Sequence, residues 1–247
     1  MLRFLCCCCF SSDNSNNERH PLLHPRPSEV NGVESARQTR LAHSDEQTVK
    51  RIGRLVMRRV CVPELDQRFS DMAETFNEQQ ERYDVMVRHI RNLQQSYDCT
   101  HDDSLAFAEC VGKIRDEHEA THRVSLKIKG YDFSLSVAPV GSPLGKPLPQ
   151  RLQLAQREVK GTSESAKATI SKGTKLQELI GWLLRSHNHM AEQVKGAAGT
   201  YQEQGRLSEN LEVNMKEVKR AKELLQRYRQ QAGDVLTEAA EMAGAHL

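Results

Sequence analysis

The sequence predicts a mainly α fold: long helices in a coiled-coil or helical bundle, with a small β-hairpin and a disordered N-terminal tail. Three observations carry that expectation. Apolar residues recur at three- and four-residue steps over two long stretches, one short stretch alternates strictly, and the first 43 residues show no hydrophobic period at all. Composition points the same way. The 247 residues are 38% hydrophobic and 28% charged, with one Trp, five Tyr and six Phe, which suits helical rods and polar tails better than one large enzyme core.

Residues 1–43 are expected to form a membrane-anchoring and sorting tail: an apolar tip, Met1 to Phe10, then a stretch rich in Ser, Asn, Pro, His and Arg. Such a composition buries too little apolar surface to offset its ordering entropy. From Glu46 the pattern turns helical, with Val49, Ile52, Val56 and Val60 on one face and Lys50, Arg51, Arg54, Arg58 and Arg59 around the rest. Pro63 either interrupts this helix or opens the next. Leu65, Phe69, Met72, Phe76, Tyr83, Met86, Ile90, Leu93 and Tyr97 then form a seam with Gln79 as its one polar member, the signature of a helix that packs lengthwise on another.

A short helix is expected over Ser104 to Thr121, capped by Asp102 or Asp103 and turning Leu105, Ala108, Val111 and Ile114 inward. A hairpin comes next, near 124–137. Val124, Leu126 and Ile128 alternate up to the turn at 129–132, and Phe133, Leu135 and Val137 alternate after it. The Pro/Gly loop at 139–150 separates the helical region 44–138 from a helical or coiled-coil region 151–247. In that second region Leu176, Leu179, Leu183, Met190, Ala197, Leu207, Leu211, Val218, Ala221, Leu225, Tyr228, Ala232, Val235, Ala239 and Met242 share one register. Gly196, Gly199 and Gly205 predict a break near 196–205. Asn214, at a core-type position, reads as a register device. Either an antiparallel bundle within the chain or a coiled coil between chains would bury these seams.

Charge and cysteine usage bound the function. A net charge of +2 argues against a dedicated nucleic-acid binder. No apolar run reaches the ~18 to 20 residues that span a bilayer, so any membrane attachment is by an anchor. Cys6, Cys7, Cys8 and Cys9 are contiguous while Cys61, Cys99 and Cys110 are scattered, which is no secreted disulfide framework and implies a reducing cytosolic setting.

Four features bear on function. Cys6 to Cys9, flanked by Leu2, Phe4, Leu5 and Phe10, are candidate S-acylation sites, since each methylene of an attached chain contributes about 0.8 kcal/mol on burial. Leu2 stands where N-myristoylation requires glycine. Glu18, four positions before Leu22-Leu23, matches the acidic dileucine signal that clathrin adaptor complexes read on extended peptides. The basic stretch Lys50, Arg51, Arg54, Arg58 and Arg59 would suit an anionic leaflet, or would stay in water while its Val/Ile stripe packs on the bundle. His118-Glu119-Ala120-Thr121-His122 spells the zinc-protease H-E-x-x-H pattern, with Asp116 and Arg123 where that pattern prefers uncharged residues. No Walker A loop, G-x-G-x-x-G or G-x-S-x-G motif is present.

The segment Cys8-Cys9-Phe10-Ser11-Ser12-Asp13-Asn14, followed by Glu18-Arg19 and by Leu22-Leu23 before Pro25, resembles the start of the lipidated anchor subunit of Ragulator, the lysosomal scaffold. Val49-Lys50-Arg51-Ile52 with Glu81-Arg82-Tyr83 and Ile90 is similar to the lipid-anchored subunit of BORC, the lysosome-positioning complex. The resemblances imply the cytoplasmic face of late endosomes or lysosomes and a recruiting role. The expectation is therefore a non-enzymatic, lipid-anchored adaptor, without cofactor, that captures helical partners or copies of itself through its seams. A SNARE-like fusion helix over 207–242 and an H-E-x-x-H zinc hydrolase are the alternatives.

Overall fold

Helix α1 spans Pro63–Ser96 and opens on its proline, with Glu64 and Asp66 in the first turn, where carboxylates favour the helix dipole. The computed structural model that shows this describes residues 53–99, 105–141 and 147–244. Helix α2 (Phe107–His118) and an antiparallel hairpin of β1 (His122–Lys129) and β2 (Asp132–Pro139) come next, then α3 (Gln150–Arg185), α4 (His187–Ala197) and α5 (Tyr201–Met242). The mainly helical fold with one hairpin is as the sequence predicts. Among the described residues no helix is long and apolar enough to cross a membrane.

The core is an up-down-up bundle of α1, α3 and α5. Antiparallel packing of α1 on α3 is marked by Gln79 Nε2 donating to the Thr169 carbonyl (3.2 Å) near the middle of both helices and by His89, later on α1, facing Glu158, earlier on α3. The α1 seam (Leu65, Phe69, Met72, Phe76, Met86, Ile90, Leu93) is fully buried against the chain's own helices, with Tyr83 half-buried and stacked on Tyr228 of α5 (centroids 4.2 Å apart). Leu211, Val218, Leu225 and Tyr228 are buried from the α5 side.

Many of the buried positions of α3 are small: Ala155, Thr162, Ser165, Ala166, Thr169 and Gly173. Small residues let the two backbones approach closely. A Cβ at Gly161 would stand 2.4 Å from His89 Nε2, and one at Gly173 would stand 2.6 Å from Gln79 Nε2. Thr162, Ser165 and Thr169 turn their hydroxyls back onto carbonyls one turn earlier, at 2.7–2.8 Å, so their burial leaves no donor unmet.

The hairpin lies along α3 with the expected register: Val124 faces Val137, Leu126 faces Leu135 and Ile128 faces Phe133. Gly130 takes φ +63° in its two-residue turn, a conformation glycine adopts without penalty. The Phe133 N–H donates to Ser163 Oγ (2.9 Å), and Phe133 packs on Phe107 of α2. Helix α2 is shorter than the expected 104–121. The expected caps Asp102 and Asp103 lie outside the described residues; Glu238 of α5 accepts from the Ala108 N–H (2.9 Å) and so places a carboxylate at the helix N-terminus.

One departure concerns a break and one concerns a helix. The second region is interrupted at Ser186 as well as at 198–200, the latter inside the expected window. Thr200 restarts the chain as N-cap by accepting from the Glu203 N–H (3.2 Å), while Glu203 reaches one residue further back and accepts from the Gly199 N–H (3.0 Å). The helix expected through Val56 and Val60 is absent after Gly53. From Leu55 to Val60 the chain is irregular, with Leu55 and Val60 buried and Val56 73% exposed, which no single helical face would produce.

Candidate functional site

The residues expected to act on a membrane divide by location. Cys6 to Cys9, Glu18, Leu22, Leu23, Lys50 and Arg51 lie outside the described residues. Arg54, Arg58 and Arg59 lie on the irregular segment, all exposed. The reading of this stretch as an amphipathic helix is therefore corrected for residues 54–60, because its apolar side chains are spaced for a segment laid across the bundle.

How that segment is held is the most specific feature of the molecule. Asn77 of α1 accepts from the Leu55 N–H (2.8 Å) and donates to the Leu55 carbonyl (3.1 Å). Asn214 of α5 does the same to Arg58, with both bonds at 2.8 Å. One side-chain amide can satisfy both backbone groups of a residue only when they point the same way, as in extended chain. Asn210 adds a bond to the Arg59 carbonyl (2.8 Å), and Asp66 accepts from the Val60 N–H (2.7 Å). Asn214 is thus the fully buried clamp of a peptide segment, where the sequence suggested a helix-register device. Asn77 gave no sequence signal, since its partner lies 22 residues away in chain that reads as helix.

A polar layer divides the two apolar clusters along the bundle axis. Gln79 is fully buried, and its Oε1 has no partner among the described residues. Further along, Glu158 is buried and meets three donors: His89 Nδ1 at 2.7 Å, Asn92 Nδ2 at 3.0 Å and Arg157 Nε at 3.0 Å. A carboxylate only accepts, so His89 carries a proton on Nδ1. Burial pushes the Glu158 carboxyl up, and the hydrogen bonds from His89, Asn92 and Arg157 together outweigh it and hold the group below its ordinary value. At the end of α1, burial pushes the Tyr97 phenol up to about 12, against the pull of Arg151, whose guanidinium lies 4.7 Å over the ring. Cys99 and Cys110 are buried free thiols, and burial raises Cys110 further from its reactive form.

The H-E-x-x-H residues do not share a helix. His118 is the last residue of α2, Glu119 to Thr121 turn, and His122 opens β1. His118 Nε2 faces the Tyr97 hydroxyl at 3.5 Å and His122 Nδ1 faces Thr121 Oγ1 at 2.9 Å. Among the described residues no three His, Cys, Asp or Glu side chains gather to hold a metal ion. The motif's chemistry needs both imidazoles one turn apart on one helical face, and this backbone does not provide it.

On the outer side of α3 and α5 runs an open groove of about 660 Å³, with Ile170, Ile180, Leu184 and Leu225 in its wall. Arg185, Lys222 and Arg229 also line it, and among the described residues no carboxylate does. Sequence reasoning did not find this groove, because the α3 residues that form it fall outside the seam register. Comparison with family models, with curated proteins and with solved structures finds no match for this chain.

Proposed function

We propose that this chain is a non-enzymatic, lipid-anchored adaptor on the cytoplasmic face of late endosomes or lysosomes. The observation that carries the reading is the run Cys6 to Cys9 between apolar residues, four adjacent thiols whose acylation in pairs or more gives stable membrane attachment. Glu18, Leu22 and Leu23 are the sorting signal for clathrin adaptor complexes in this reading, and the bundle is the part that recruits partners for organelle trafficking or positioning.

The bundle geometry changes how recruitment would work. Most of both long seams is buried within the chain, so partner helices or further copies would not pair with Leu65, Phe69, Met72 or Leu211 as an open coiled coil. The α3/α5 groove is the alternative surface. Its apolar wall and unbalanced Arg185, Lys222 and Arg229 suit a partner's amphipathic helix with acidic flanks. A fusion role for residues 207–242 would require their buried face to leave α1 and α3 first.

Thioester-exchange labelling tests the anchor. Hydroxylamine-dependent label on the wild-type chain, lost when Cys6 to Cys9 are all changed to Ser, supports the reading; an unlabelled wild-type chain removes it. For the groove, reversing Arg185, Lys222 and Arg229 to Glu is expected to abolish binding of a Glu-flanked leucine-stripe helical peptide and to favour a Lys-flanked one.

A further inference from the structure

The groove between α1 and α5 that holds residues 55–60 has the properties of a recognition site for extended chain. Both Asn77 and Asn214 grip backbone groups, and the side-chain selectivity comes from two buried aliphatic residues, Leu55 at 3% exposure and Val60 at 0%. Between those two anchors the segment stands off from α1: a cleft of about 590 Å³ remains between them, lined by Pro63, Ser70, Ala73 and Glu74. Its link to α1 is Cys61-Val62. Cys61 holds φ at +60°, a left-handed conformation that a residue with a Cβ adopts at a cost, and it is exposed.

We propose that the α1/α5 groove also accepts residues 55–60 from a second copy of the chain, so that two copies exchange this segment. The groove fits this occupant because the same segment fills it within one chain. Exchange keeps all the clamp bonds, lets Cys61 leave its left-handed backbone, and needs no other partner. From Val60 to Pro63 the chain reaches about 10 Å when extended, which brings the starts of the two α1 helices side by side across a two-fold axis. The inference does not depend on acylation, although exchanged copies would carry two Cys6 to Cys9 clusters.

Two variants of the full chain, made in bacteria, test this by complementation. Leu55→Asp/Val60→Asp disables the segment and keeps the groove; Asn77→Ala/Asn214→Ala disables the groove and keeps the segment. Each alone is expected to sediment as a monomer, and their mixture is expected to give a 1:1 complex whose share rises with concentration. Two folded variants that stay monomeric when mixed would overturn the proposal. So would a scrambled peptide of residues 53–62 binding the segment-disabled chain within about tenfold of the native peptide, since that would assign the groove to extended peptides at large. If either pair lowers the helical circular dichroism, Val60→Ala and Asn214→Ser replace them with the same readouts.

Discussion

Replacing Asn214 by Ala deletes the two hydrogen bonds that hold Arg58, and the energy balance of the 55–60 segment sets the size of the effect. Burying Leu55 and Val60 contributes about 1.5–3 kcal/mol each. The six bonds from Asn77, Asn210, Asn214 and Asp66 contribute about 0.5–1.5 kcal/mol each. Ordering the backbone of six residues costs about 1–2 kcal/mol apiece. Gains of about 6–15 kcal/mol against costs of about 6–12 kcal/mol leave the segment held by a narrow margin. Loss of the Asn214 pair removes about 1–3 kcal/mol, which corresponds to roughly 5- to 150-fold more frequent opening. Hydrogen exchange read at the Leu55 and Val60 amides checks this, because their own acceptors, Asn77 and Asp66, are untouched. Those two amides are expected to speed up while amides of α3 keep their wild-type rates. Unchanged protection at Leu55 and Val60 would refute the reasoning, as would equal acceleration throughout the bundle.

Glu158 makes stability depend on acid. Its folded-state value lies below the ordinary 4.5, so its contribution is complete above that pH and drains away as pH falls below it. Chemical denaturation of Glu158→Gln between pH 7 and pH 3 is expected to show lower stability at neutral pH and a shallower loss toward acid; parallel curves would deny the role. Gly161→Ala drives a Cβ into the His89 ring, with ring atoms at 2.4, 2.5 and 2.8 Å, and is expected to cost about 1–3 kcal/mol of stability in thermal unfolding. Gly196→Ala meets nothing within 4 Å, so it is the matched control and should be neutral or slightly stabilising.

The parts of the fold legible in the sequence are those written in hydropathy. The α1 seam and the 124–137 hairpin carry large apolar residues at the periods of their elements, and the structure buries most of them where that period places them. The first half of α3 escaped the seam register because many of its buried positions are Ala, Thr, Ser and Gly, which pack by being small and leave little hydropathy signal. The 55–60 segment misled for the opposite reason. Val49, Ile52, Val56 and Val60 keep helical spacing, yet the chain is extended where Asn77, 22 residues on, and Asn214, 156 residues on, seize its backbone. Such long-range side-chain bonds override a local period and cannot be read from it. Of the candidate functional residues, the anchoring and sorting motifs rest on sequence alone, while the α3/α5 groove emerged only once the two helices were placed side by side.

The central claim is attachment to late endosomal or lysosomal membranes through Cys6 to Cys9. Live imaging of the C-terminally tagged chain against a lysosomal membrane marker, beside the variant with all four cysteines changed to Ser, tests it most directly. The account predicts punctate signal on the marker for the wild type and diffuse signal for the variant. Diffuse signal for both, or puncta that persist without the four thiols, would contradict it.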